Sequence, residues 1–574
     1  MTPQQPEKRV EQEEARQEAR RGARPRARQS LQWTGRWLGQ PVLEGDQARR
    51  FDRWAIDDLG MPGAVMMESA AAAVVTELMR RWPAVRRVLV VCGPGNNGAD
   101  GLAVSRLLVV RGVGAEAALL ARSKLEDEPE SDAALQLRTV RRLGVPLHDE
   151  LPDPASFDLV VDALFGTGLS RPLSGRAADW VGALNGSGMP IVAVDTPSGL
   201  AAPGEGEGDP GPLVRADLTV SFVAAKGEQL IGKRARACGE LVVAPLAVHL
   251  GAWPALDVGL ELLGGSTVVQ WLGGPRDPDS HKGGFGHLLV VAGSLGMSGA
   301  CRLAAAAALR SGVGLLTAAP PRAVRAEVAS ALPEAMTLDL PGDGDGDGAR
   351  LDESAAGDLL ADGERYSALA LGPGLGRGDA VRAAVLRLVR SCPRPLVVDA
   401  DGLNAFASLE EIADVRSEQA GEAGGLVLTP HPGELGRLLG LPAAAVQADR
   451  LAAVREAARL AGAVVLLKGR HSLIAGPAGR VWINPTGGPA LATAGSGDVL
   501  TGVVAALLAQ GLEPLLAAAT GAFAHGLAGE LAGAEQGERS AVAGDLVEAL
   551  PIVFRQLDDV AAGRLEGPAR PAWP

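Results

Sequence analysis

The chain is poor in cysteine. Only four cysteines occur among 574 residues, and no two of them form a Cys-x-x-Cys pair. This spacing excludes the common zinc-binding motifs and offers no disulfide framework for a secreted protein. We therefore expect a protein of the reducing cytoplasm.

Aromatic residues and positive charge are also scarce. Phe, Trp and Tyr make up 3% of the chain, and the formal net charge is −13 at pH 7. Such a surface offers little for stacking on bases or for pairing with nucleic-acid phosphates. The composition predicts no nucleic-acid partner.

Long hydrophobic runs are missing as well. No segment reaches the ~18 uninterrupted apolar residues that a membrane span needs, so we expect no membrane partner. The first thirty residues are rich in Glu and Arg and have no apolar core, unlike a secretory signal; their many acidic residues are atypical of a transit peptide. We predict a polar, disordered tail at residues 1–40 and a second tail at 561–574.

Short β-rich runs alternate with helical stretches along the rest of the chain. Each run is nearly continuous in apolar residues and ends near Gly, Pro or Asp, as buried parallel strands do. The pattern predicts strands within residues 85–93, 157–166, 189–199, 216–224, 286–294, 366–376, 394–404, 424–434 and 463–471. We predict an α/β protein with domains at 41–250 and 265–560 and a linker at 251–264. Both domains should contain doubly wound sheets that bind ligands at the carboxyl ends of their strands.

The stretch VVCGPGNNGADGLAV (90–104) combines a strand, a glycine-rich turn and a helix start. Its glycines satisfy Gly-x-Gly-x-x-Gly, which raises the possibility of a dinucleotide dehydrogenase. A dehydrogenase also needs an acid after the second strand, but that strand, AEAALLARSK, ends in Ser123 and Lys124. Asn96, Asn97 and Asp100 instead supply side-chain oxygens that suit a hard cation.

Two later strand ends carry matching side chains. VDALFGTGLSRP places Asp162 before the flexible loop Gly166–Pro172, and VDTPSGL supplies Asp195 and Ser198. A single aspartate of this kind usually caps a loop by binding backbone amides. Because the carboxyl ends of parallel strands converge on one crevice, the three loops together favour a functional site.

GPGNNGADG, VDALFGTGL, VDTPSGL and SFVAAKGE resemble, in this order, the NAD(P)H-hydrate epimerase domain of YjeF-type repair proteins, a Rossmann-like three-layer α/β/α domain. The resemblance spans about residues 49–245. It implies that Asp195 is the acid/base group and that a potassium ion binds Asn97, Asp162 and Ser198. It also implies that the hydrated nucleotide contacts Asn96, Asn97, Gly98, Ala99, Asp100, Gly166, Thr167, Gly168, Leu169, Ser170, Arg171, Pro172 and Asp195.

The motifs depart from that family at two places. Where the family has NNGGD, this chain has NNGAD, with Ala99. Where the family has MENAG, this chain has MESAA, with Ser69 and Ala71. If position 99 requires a positive φ, Ala99 would strain the loop. Ser69 keeps a hydroxyl but lacks the amide.

TAGSGDVLTG (493–502) places a carboxylate, Asp498, at a predicted helix start directly after small residues. The backbone amides of Gly495, Ser496 and Gly497 can stabilise developing negative charge, while Asp498 removes a proton from a hydroxyl. An aspartate that only caps the helix is the common alternative. LLKGRHS adds Lys468 and turn amides for a nucleotide phosphate, which favours phosphoryl transfer.

AGSGD resembles the Gly-x-Gly-Asp of ribokinase-like sugar and vitamin kinases. Together with HKGGFGHLLVVAGSLGMSGA, LGPGLG, VVDADGLNA, TPHPGE and KGRHS, it resembles the ADP-dependent NAD(P)H-hydrate dehydratase over about residues 265–550. The resemblance implies that the hydrated cofactor contacts Ala300, His431, Asp498 and either Gly374 or Gly376. It places the adenine nucleotide at Lys468, Gly469, Arg470, His471, Ser472 and Gly497.

These resemblances imply a bifunctional repair enzyme that epimerises hydrated NADH and NADPH (NADHX and NADPHX) and dehydrates the S form with ADP. They imply K⁺ in the first domain. We expect Mg²⁺ in the second domain as the counterion of ADP, and we expect a homo-oligomer. A vitamin or sugar kinase with a non-catalytic nucleotide-binding first domain is the alternative enzyme. A first domain that serves only as a binding or scaffolding module is the alternative from another class.

Overall fold

The computed structural model describes residues 39–126, 130–169, 171–200, 211–256, 258–338, 340, 351–417 and 424–564. The predicted tail before residue 39, Ser170 and the segment 341–350 lie outside these ranges. The described chain forms two compact units, which divide near residue 256. The strand β1 (Gln40–Pro41) belongs to the sheet of the second unit.

A seven-stranded parallel sheet forms the first unit. Its strands are β2 (Arg87–Cys92), β3 (Gly114–Leu119), β4 (Leu147–His148), β5 (Leu159–Ala163), β6 (Ile191–Val194), β7 (Leu218–Phe222) and β8 (Glu240–Ala244). Its helices are α1 (Gln47–Arg53), α2 (Gly63–Arg81), α3 (Asn96–Val110), α4 (Arg122–Glu126), α5 (Asp132–Arg142), α6 (Gly175–Gly186) and α7 (Gly227–Leu230). The spatial order β4-β3-β2-β5-β6-β7-β8 reverses direction between β2 and β5, and ligands bind at such switch points.

The central strand β2 shows why the first unit has three layers. Successive side chains of a strand point to opposite faces, and both faces of β2 are apolar. Val88 and Val90 pack with α2 and α3, whereas Leu89 and Val91 pack with α6 on the other side. A strand buried on both faces requires helices on both faces, which is the predicted α/β/α arrangement.

The second unit contains an eleven-stranded sheet in the order β1-β9-β18-β17-β16-β15-β14-β13-β10-β11-β12. Its further strands are β9 (Leu260–Leu262), β10 (His287–Val291), β11 (Leu315–Ala318), β12 (Met336–Thr337), β13 (Ala368–Leu371), β14 (Leu396–Val398), β15 (Leu426–Leu428), β16 (Val464–Leu467), β17 (Leu473–Ala475) and β18 (Val481–Ile483). From β16 to β12 the neighbouring strands are parallel, and the order reverses between β10 and β13.

Helices cover the second sheet. They are α8 (Gly265–Leu272), α9 (Ser298–Arg310), α10 (Arg322–Ala331), α11 (Glu353–Ala361), α12 (Asp379–Ser391), α13 (Asp401–Asn404), α14 (Leu409–Ser417), α15 (Pro432–Leu439), α16 (Ala443–Ala448), α17 (Arg450–Ala461), α18 (Ser496–Ala509), α19 (Pro514–Gln536) and α20 (Ala543–Ala561). Among the described helices, α19 is long and apolar enough to cross a membrane by length and composition alone. However, 78% of its most apolar window is buried within the protein, as in a core helix.

The fold corrects three details of the sequence interpretation. Strand β3 ends at Leu119, and Ser123 and Lys124 lie in α4 rather than at the strand end, because the chain turns into a helix at Arg122. The antiparallel strands β17 and β18 were not predicted, since three-residue strands leave too short a pattern. Strand β9, within the predicted linker, pairs with β18 in the second sheet.

Helix α18 is apolar on nearly all of its faces and packs closely against α9, so that the backbones of the two helices approach each other. A Cβ atom at Gly502 would lie 2.0 Å from the Ala304 carbonyl oxygen, so no side chain fits there without movement. Gly502 therefore sets the spacing of the two helices that carry Ala300 and Asp498.

Replacing Gly502 with Ala should lower the free energy of unfolding of the second unit by about 2 kcal/mol, because the methyl group forces the two helices apart. Thermal unfolding measures the change. Gly544→Ala is the matched control, since a Cβ atom at this helical glycine in α20 would meet no described atom outside its own helix within 4 Å. Equal midpoints for the two variants would show that the close approach at Gly502 does not limit stability.

Candidate active sites

The first site lies at the switch point of the first sheet, where the glycine-rich turn after β2 meets the end of β5. A Cβ atom at Gly93 would lie 1.7 Å from the Leu164 carbonyl oxygen, and one at Gly98 would lie 1.9 Å from the Gly93 carbonyl oxygen. Glycine is thus needed at both positions so that the turn, β5 and α3 pack closely.

Helix α3 begins at Asn96, so Asn97, Ala99 and Asp100 all lie in its first turns. Ala99 has no positive φ and is fully buried, which removes the strain that the sequence suggested for this position. Desolvation raises the pKa of Asp100 well above its usual range, and the nearby carboxylates of Asp195 and Asp52 raise it further.

Asp162 and Ser198 are joined directly. The Ser198 hydroxyl donates to Asp162 Oδ1 at 2.6 Å and the Ser198 amide donates to Oδ2 at 2.8 Å, while both residues are fully buried. Burial raises the pKa of Asp162 to about 6, despite the hydrogen bonds from Ser198 and Leu164 that favour its ionised form. The Phe165 carbonyl oxygen lies 3.2 Å from the same hydroxyl.

The side chain of Asn97 lies close to Gly166, in the loop that follows Asp162. Its Nδ2 atom is buried and, among the described residues, has no hydrogen-bond partner. A Cβ atom at Gly166 would lie 3.4 Å from Asn97 Oδ1 and 3.5 Å from Asp195 Oδ2. The fold therefore brings together the three strand-end segments that the sequence predicted to converge.

The loop that follows Gly166 is only partly described. The Thr167 carbonyl accepts a hydrogen bond from Arg49 Nη1 at 3.4 Å, and Leu169 donates its backbone amide to the Gly166 carbonyl at 3.3 Å. Gly168, Arg171 and Pro172 are exposed, and Ser170 lies outside the described residues.

Asp195 follows β6 with φ of +63°, an uncommon backbone conformation for a residue other than glycine. Its Oδ1 accepts a hydrogen bond from Lys226 Nζ at 2.6 Å. No role was predicted for Lys226 from the sequence, although SFVAAKGE contains it. Desolvation and the Asp195 carboxylate raise the pKa of Asp52 to about 6, and this second unassigned residue lies on α1.

The second site surrounds the start of α18. Asp498 is the third residue of that helix, and Gly495 precedes it with φ of +86°. Burial and the nearby carboxylates of Asp399 and Asp401 raise the pKa of Asp498 to about 6, while Lys468 acts in the opposite direction. A carboxyl group with this pKa is ionised at neutral pH and close to the range in which general bases work best.

Lys468 lies beside this helix start. Its Nζ donates to Asp399 Oδ1 at 2.7 Å, and the buried Thr501 hydroxyl donates to Asp399 Oδ2 at 2.8 Å. A Cβ atom at Gly497 would lie 3.4 Å from Lys468 Nζ. Asp399 was not predicted as a functional residue, although VVDADGLNA carries it; it fixes the ammonium group next to the amides of α18.

Ala300, Gly374 and Gly376 lie on two segments that meet at the switch point of the second sheet. A Cβ atom at Gly374 would lie 2.9 Å from the Ala300 Cβ, and the Gly374 carbonyl accepts a hydrogen bond from the Ser294 hydroxyl at 2.8 Å. The Gly376 amide donates to Asp401 at 2.9 Å. Both glycines have positive φ and hold the loop close to Ala300.

His431 caps α15. Its Nδ1 accepts hydrogen bonds from the backbone amides of Gly433 and Glu434, and the Glu434 carboxylate accepts one from the His431 amide in return. The side chain of His431 is 56% exposed, and its outer nitrogen, Nε2, lies 3.4 Å from Glu434 Oε1. Burial raises the pKa of Glu434, and Lys468 opposes this rise.

Arg450 stabilises the loop 468–472 through hydrogen bonds to backbone carbonyls. The sequence predicted no role for this residue. Arg450 is 3% exposed and donates to the Arg470 carbonyl at 2.5 Å and to the Leu467 carbonyl at 3.3 Å. Burial lowers the pKa of Arg450 to about 10. The Ser472 hydroxyl donates to the Gly469 carbonyl at 3.1 Å, which closes the turn.

His525 on α19 supports the start of α18 in a similar way. Its Nε2 lies 2.9 Å from the Ser496 carbonyl oxygen and 3.2 Å from the Ser496 hydroxyl. Burial lowers the pKa of His525 to about 4, so the ring is neutral near pH 7. None of the sequence motifs contains His525, and only the packing of α19 shows its position.

Two doubly wound units with these sites define a two-domain α/β enzyme: an amino-terminal Rossmann-like unit with a carboxylate and oxygen-rich crevice, and a carboxy-terminal ribokinase-like unit with a carboxylate at a glycine-flanked helix start. The family model described as YjeF-related protein N-terminus matches residues 63–227, and the model described as NAD(P)H-hydrate dehydratase matches residues 288–552.

Relatives match over nearly the whole chain. It is 41% identical over 535 residues to the bifunctional NAD(P)H-hydrate repair enzyme Nnr of Moorella thermoacetica, covering 90% of this chain and 97% of that protein. It is 36% identical over 511 residues to the protein of the same name from Escherichia coli, covering 89% and 93%. The chain belongs to the family of bifunctional NAD(P)H-hydrate repair enzymes.

A solved structure also matches part of the chain. The ADP/ATP-dependent NAD(P)H-hydrate dehydratase from Bacillus subtilis, co-crystallised with ATP and Mg²⁺, is 31% identical to the matched part. The match covers 52% of this chain and 98% of that one, with a TM-score of 0.44.

Proposed function

We propose that this chain repairs hydrated NADH and NADPH in two steps. The first domain (41–250) interconverts the R and S epimers, and the second (265–560) dehydrates the S epimer with ADP. Family membership supports both activities. The single observation that carries the dehydratase assignment is the ionisable Asp498 beside Gly495, Gly497 and the Lys468 ammonium group.

In the second domain, Asp498 takes the proton of the C6 hydroxyl as that oxygen attacks the terminal phosphoryl group of ADP. The backbone amides at the start of α18 and the Lys468 ammonium stabilise the charge on the phosphoryl oxygens. The ring nitrogen then expels phosphate, which leaves far more readily than hydroxide, and forms an iminium at C6. Loss of a proton from C5 restores NADH or NADPH, and the other products are AMP and phosphate. Ala300, Gly374 or Gly376, and His431 hold the hydrated cofactor, whereas Lys468–Ser472 and Gly497 hold the nucleotide.

In the first domain, Asp195 removes the proton of the C6 hydroxyl as the bond between C6 and the ring nitrogen breaks, which opens the ring to an aldehyde and leaves the electron pair on nitrogen. The centre can then close with either configuration. The first turn of α3, from Asn96 to Asp100, and the loop Gly166–Pro172 hold the dinucleotide. The close approach of Gly166 to both Asn97 and Asp195 supports this assignment.

K⁺ suits the side-chain oxygens of Asn97, Asp162 and Ser198. Carboxylate, hydroxyl and amide oxygens are ligands for hard cations, and a cation would counter the effect of burial, which raises the pKa of Asp162. When bound, K⁺ would supply charge that balances the nucleotide phosphates. For Mg²⁺, the described residues contain no group of three His, Cys, Asp or Glu that could hold a metal ion, so we derive no step from it and expect it with the nucleotide phosphates.

Exchanging K⁺ for choline should slow epimerisation by about 10–100-fold, because Asp162 then lacks its counter-ion. K⁺ should also raise the thermal midpoint of the parent protein, since it binds the folded state. Asp162→Asn should lose both effects. Dehydratase activity on the S epimer, measured in the same two buffers, serves as the control. An epimerisation rate of the parent protein that does not depend on K⁺ would contradict the cation site.

Incubation with hydrated NADH tests the whole proposal. Parent protein with ADP should restore the absorbance of reduced nicotinamide completely, with one AMP and one phosphate per NADH. A kinase would instead consume ATP only with a different acceptor and restore no absorbance. A first domain that only binds would leave the R epimer untouched while the S epimer is consumed.

We also propose a cytoplasmic location and a homo-oligomer, with NADHX, NADPHX and ADP as the small-molecule partners. Four free cysteines, all buried, support a reducing compartment. Light scattering of the purified chain tests the homo-oligomer.

A further inference from the structure

Lys226 is almost completely buried beside the proposed acid/base group of the first domain. Its side chain is 5% exposed, and its Nζ contacts Asp195 Oδ1 at 2.6 Å, the Ser221 hydroxyl at 2.9 Å and the Phe222 carbonyl at 3.1 Å. An ammonium group has three donors, and three acceptors surround this one. The group is therefore held in one place.

The same segment also holds the Asp195 backbone. Gln229 Nε2 donates to the Asp195 carbonyl at 2.8 Å, and Gln229 Oε1 accepts from the Lys226 amide at 2.9 Å. Asp195 has φ of +63°, and such a backbone persists only where surrounding contacts impose it. Helix α7 and the residue before it thus fix both the side chain and the main chain of Asp195.

Three carboxylates meet at this site from different elements: Asp52 on α1, Asp100 on α3 and Asp195 after β6. Asp195 raises the pKa of Asp52 and of Asp100, whereas Lys226 lowers the pKa of Asp52. A nearby like charge disfavours ionisation of a carboxyl group, and a nearby cation counters this effect. The ammonium group of Lys226 lies directly against the carboxylate that must accept a proton.

We propose that Lys226 is a positioning residue for epimerisation, which holds the Asp195 carboxylate in one orientation and balances its charge. It acts through Asp195 and makes no contact with the reacting carbon. The inference rests on the proposed epimerase activity, and it assigns a role to the lysine of SFVAAKGE.

Lys226→Met tests this role in the full-length protein. With purified R epimer as substrate, we expect kcat for epimerisation to fall about 100-fold with little change in KM, because removing the partner of a general base weakens proton transfer rather than nucleotide binding. The acidic limb of the rate–pH profile should move to higher pH, which a merely structural role would not cause. Lys124→Met, at an exposed position on α4, is the matched control and should leave the rate unchanged.

A double variant separates action through Asp195 from other effects. If Lys226 acts through Asp195, Lys226→Met combined with Asp195→Asn should be no slower than Asp195→Asn alone. A multiplicative loss would overturn the proposal, as would a parent-like rate for Lys226→Met. Absence of epimerisation by the parent protein would instead refute the proposed function itself.

Folding of the variants is checked by thermal unfolding and by dehydratase activity on the S epimer. Should Lys226→Met unfold, Lys226→Gln takes its place, since the amide can still donate to Ser221 and Phe222 but carries no charge. A shifted pH profile and unchanged KM for this variant support the proposal, and an unshifted profile overturns it.

Discussion

Asp498→Asn should reduce the turnover of the S epimer by about 10³-fold, because an amide cannot accept the proton of the C6 hydroxyl. Asparagine has nearly the same size and shape as aspartate, so the substitution removes the base alone. Recovery of reduced-nicotinamide absorbance with ADP measures the loss. Epimerisation, followed by chromatography of the two hydrates, should continue at the parent rate.

The matched control for this variant is Asp545→Asn. Asp545 lies in the first turn of α20, and its carboxylate accepts a hydrogen bond from the Val542 amide at 2.8 Å, as a capping residue does. If Asp498 were only a cap, both substitutions would have similar small effects. Parent-like dehydration by Asp498→Asn would require another explanation for the whole second domain.

The pKa of Asp498 gives this prediction a pH dependence. Since burial raises that pKa to about 6, dehydration should decline below about pH 6 as the base becomes protonated. The stability of the fold changes with pH in the opposite direction to the rate. Asp498 contributes its full stabilisation of the folded state below pH 3.8, the pKa of the group in the unfolded chain, and this contribution is lost as pH rises through about 6. At pH 7 Asp498→Asn should therefore be more stable than the parent, by at most about 3 kcal/mol.

Asp195→Asn should leave the R epimer unrepaired while the S epimer is still consumed. Asparagine tolerates positive φ, so the backbone at this position is preserved while the acid/base group is lost. With a mixture of epimers and excess ADP, the reduced-nicotinamide absorbance should rise quickly until the S epimer is consumed and then nearly stop. The second phase should be about 10²–10⁴-fold slower than in the parent.

Asp153→Asn is a suitable control, because Asp153 caps the turn at Pro154–Ser156 in the same domain and is exposed. Its progress curve should match that of the parent. Complete and rapid recovery by Asp195→Asn would show that proton transfer at C6 depends on another group of the first domain.

Much of the fold followed from local patterns. Continuous apolar runs predicted the central strands, and the observed strands β2, β5 and β10 lie inside the predicted ranges, shorter at both ends because the flanking residues belong to turns and loops. The strand–glycine–helix segment before α3 and the helix start at Asp498 were also evident, since glycines and a charged residue beside an apolar run are signals within a few residues.

The ion pairs beside the two proposed bases were decided only by tertiary structure. Lys226 and Asp195 are 31 residues apart, and Lys468 and Asp399 are 69 residues apart. No periodicity links such positions; they meet because parallel strands place their carboxyl ends on one edge of a sheet. The sequence by itself predicted which aspartates act as bases, whereas the tertiary structure decided which lysine contacts which carboxylate, because only the order of strands in each sheet brings such distant positions together.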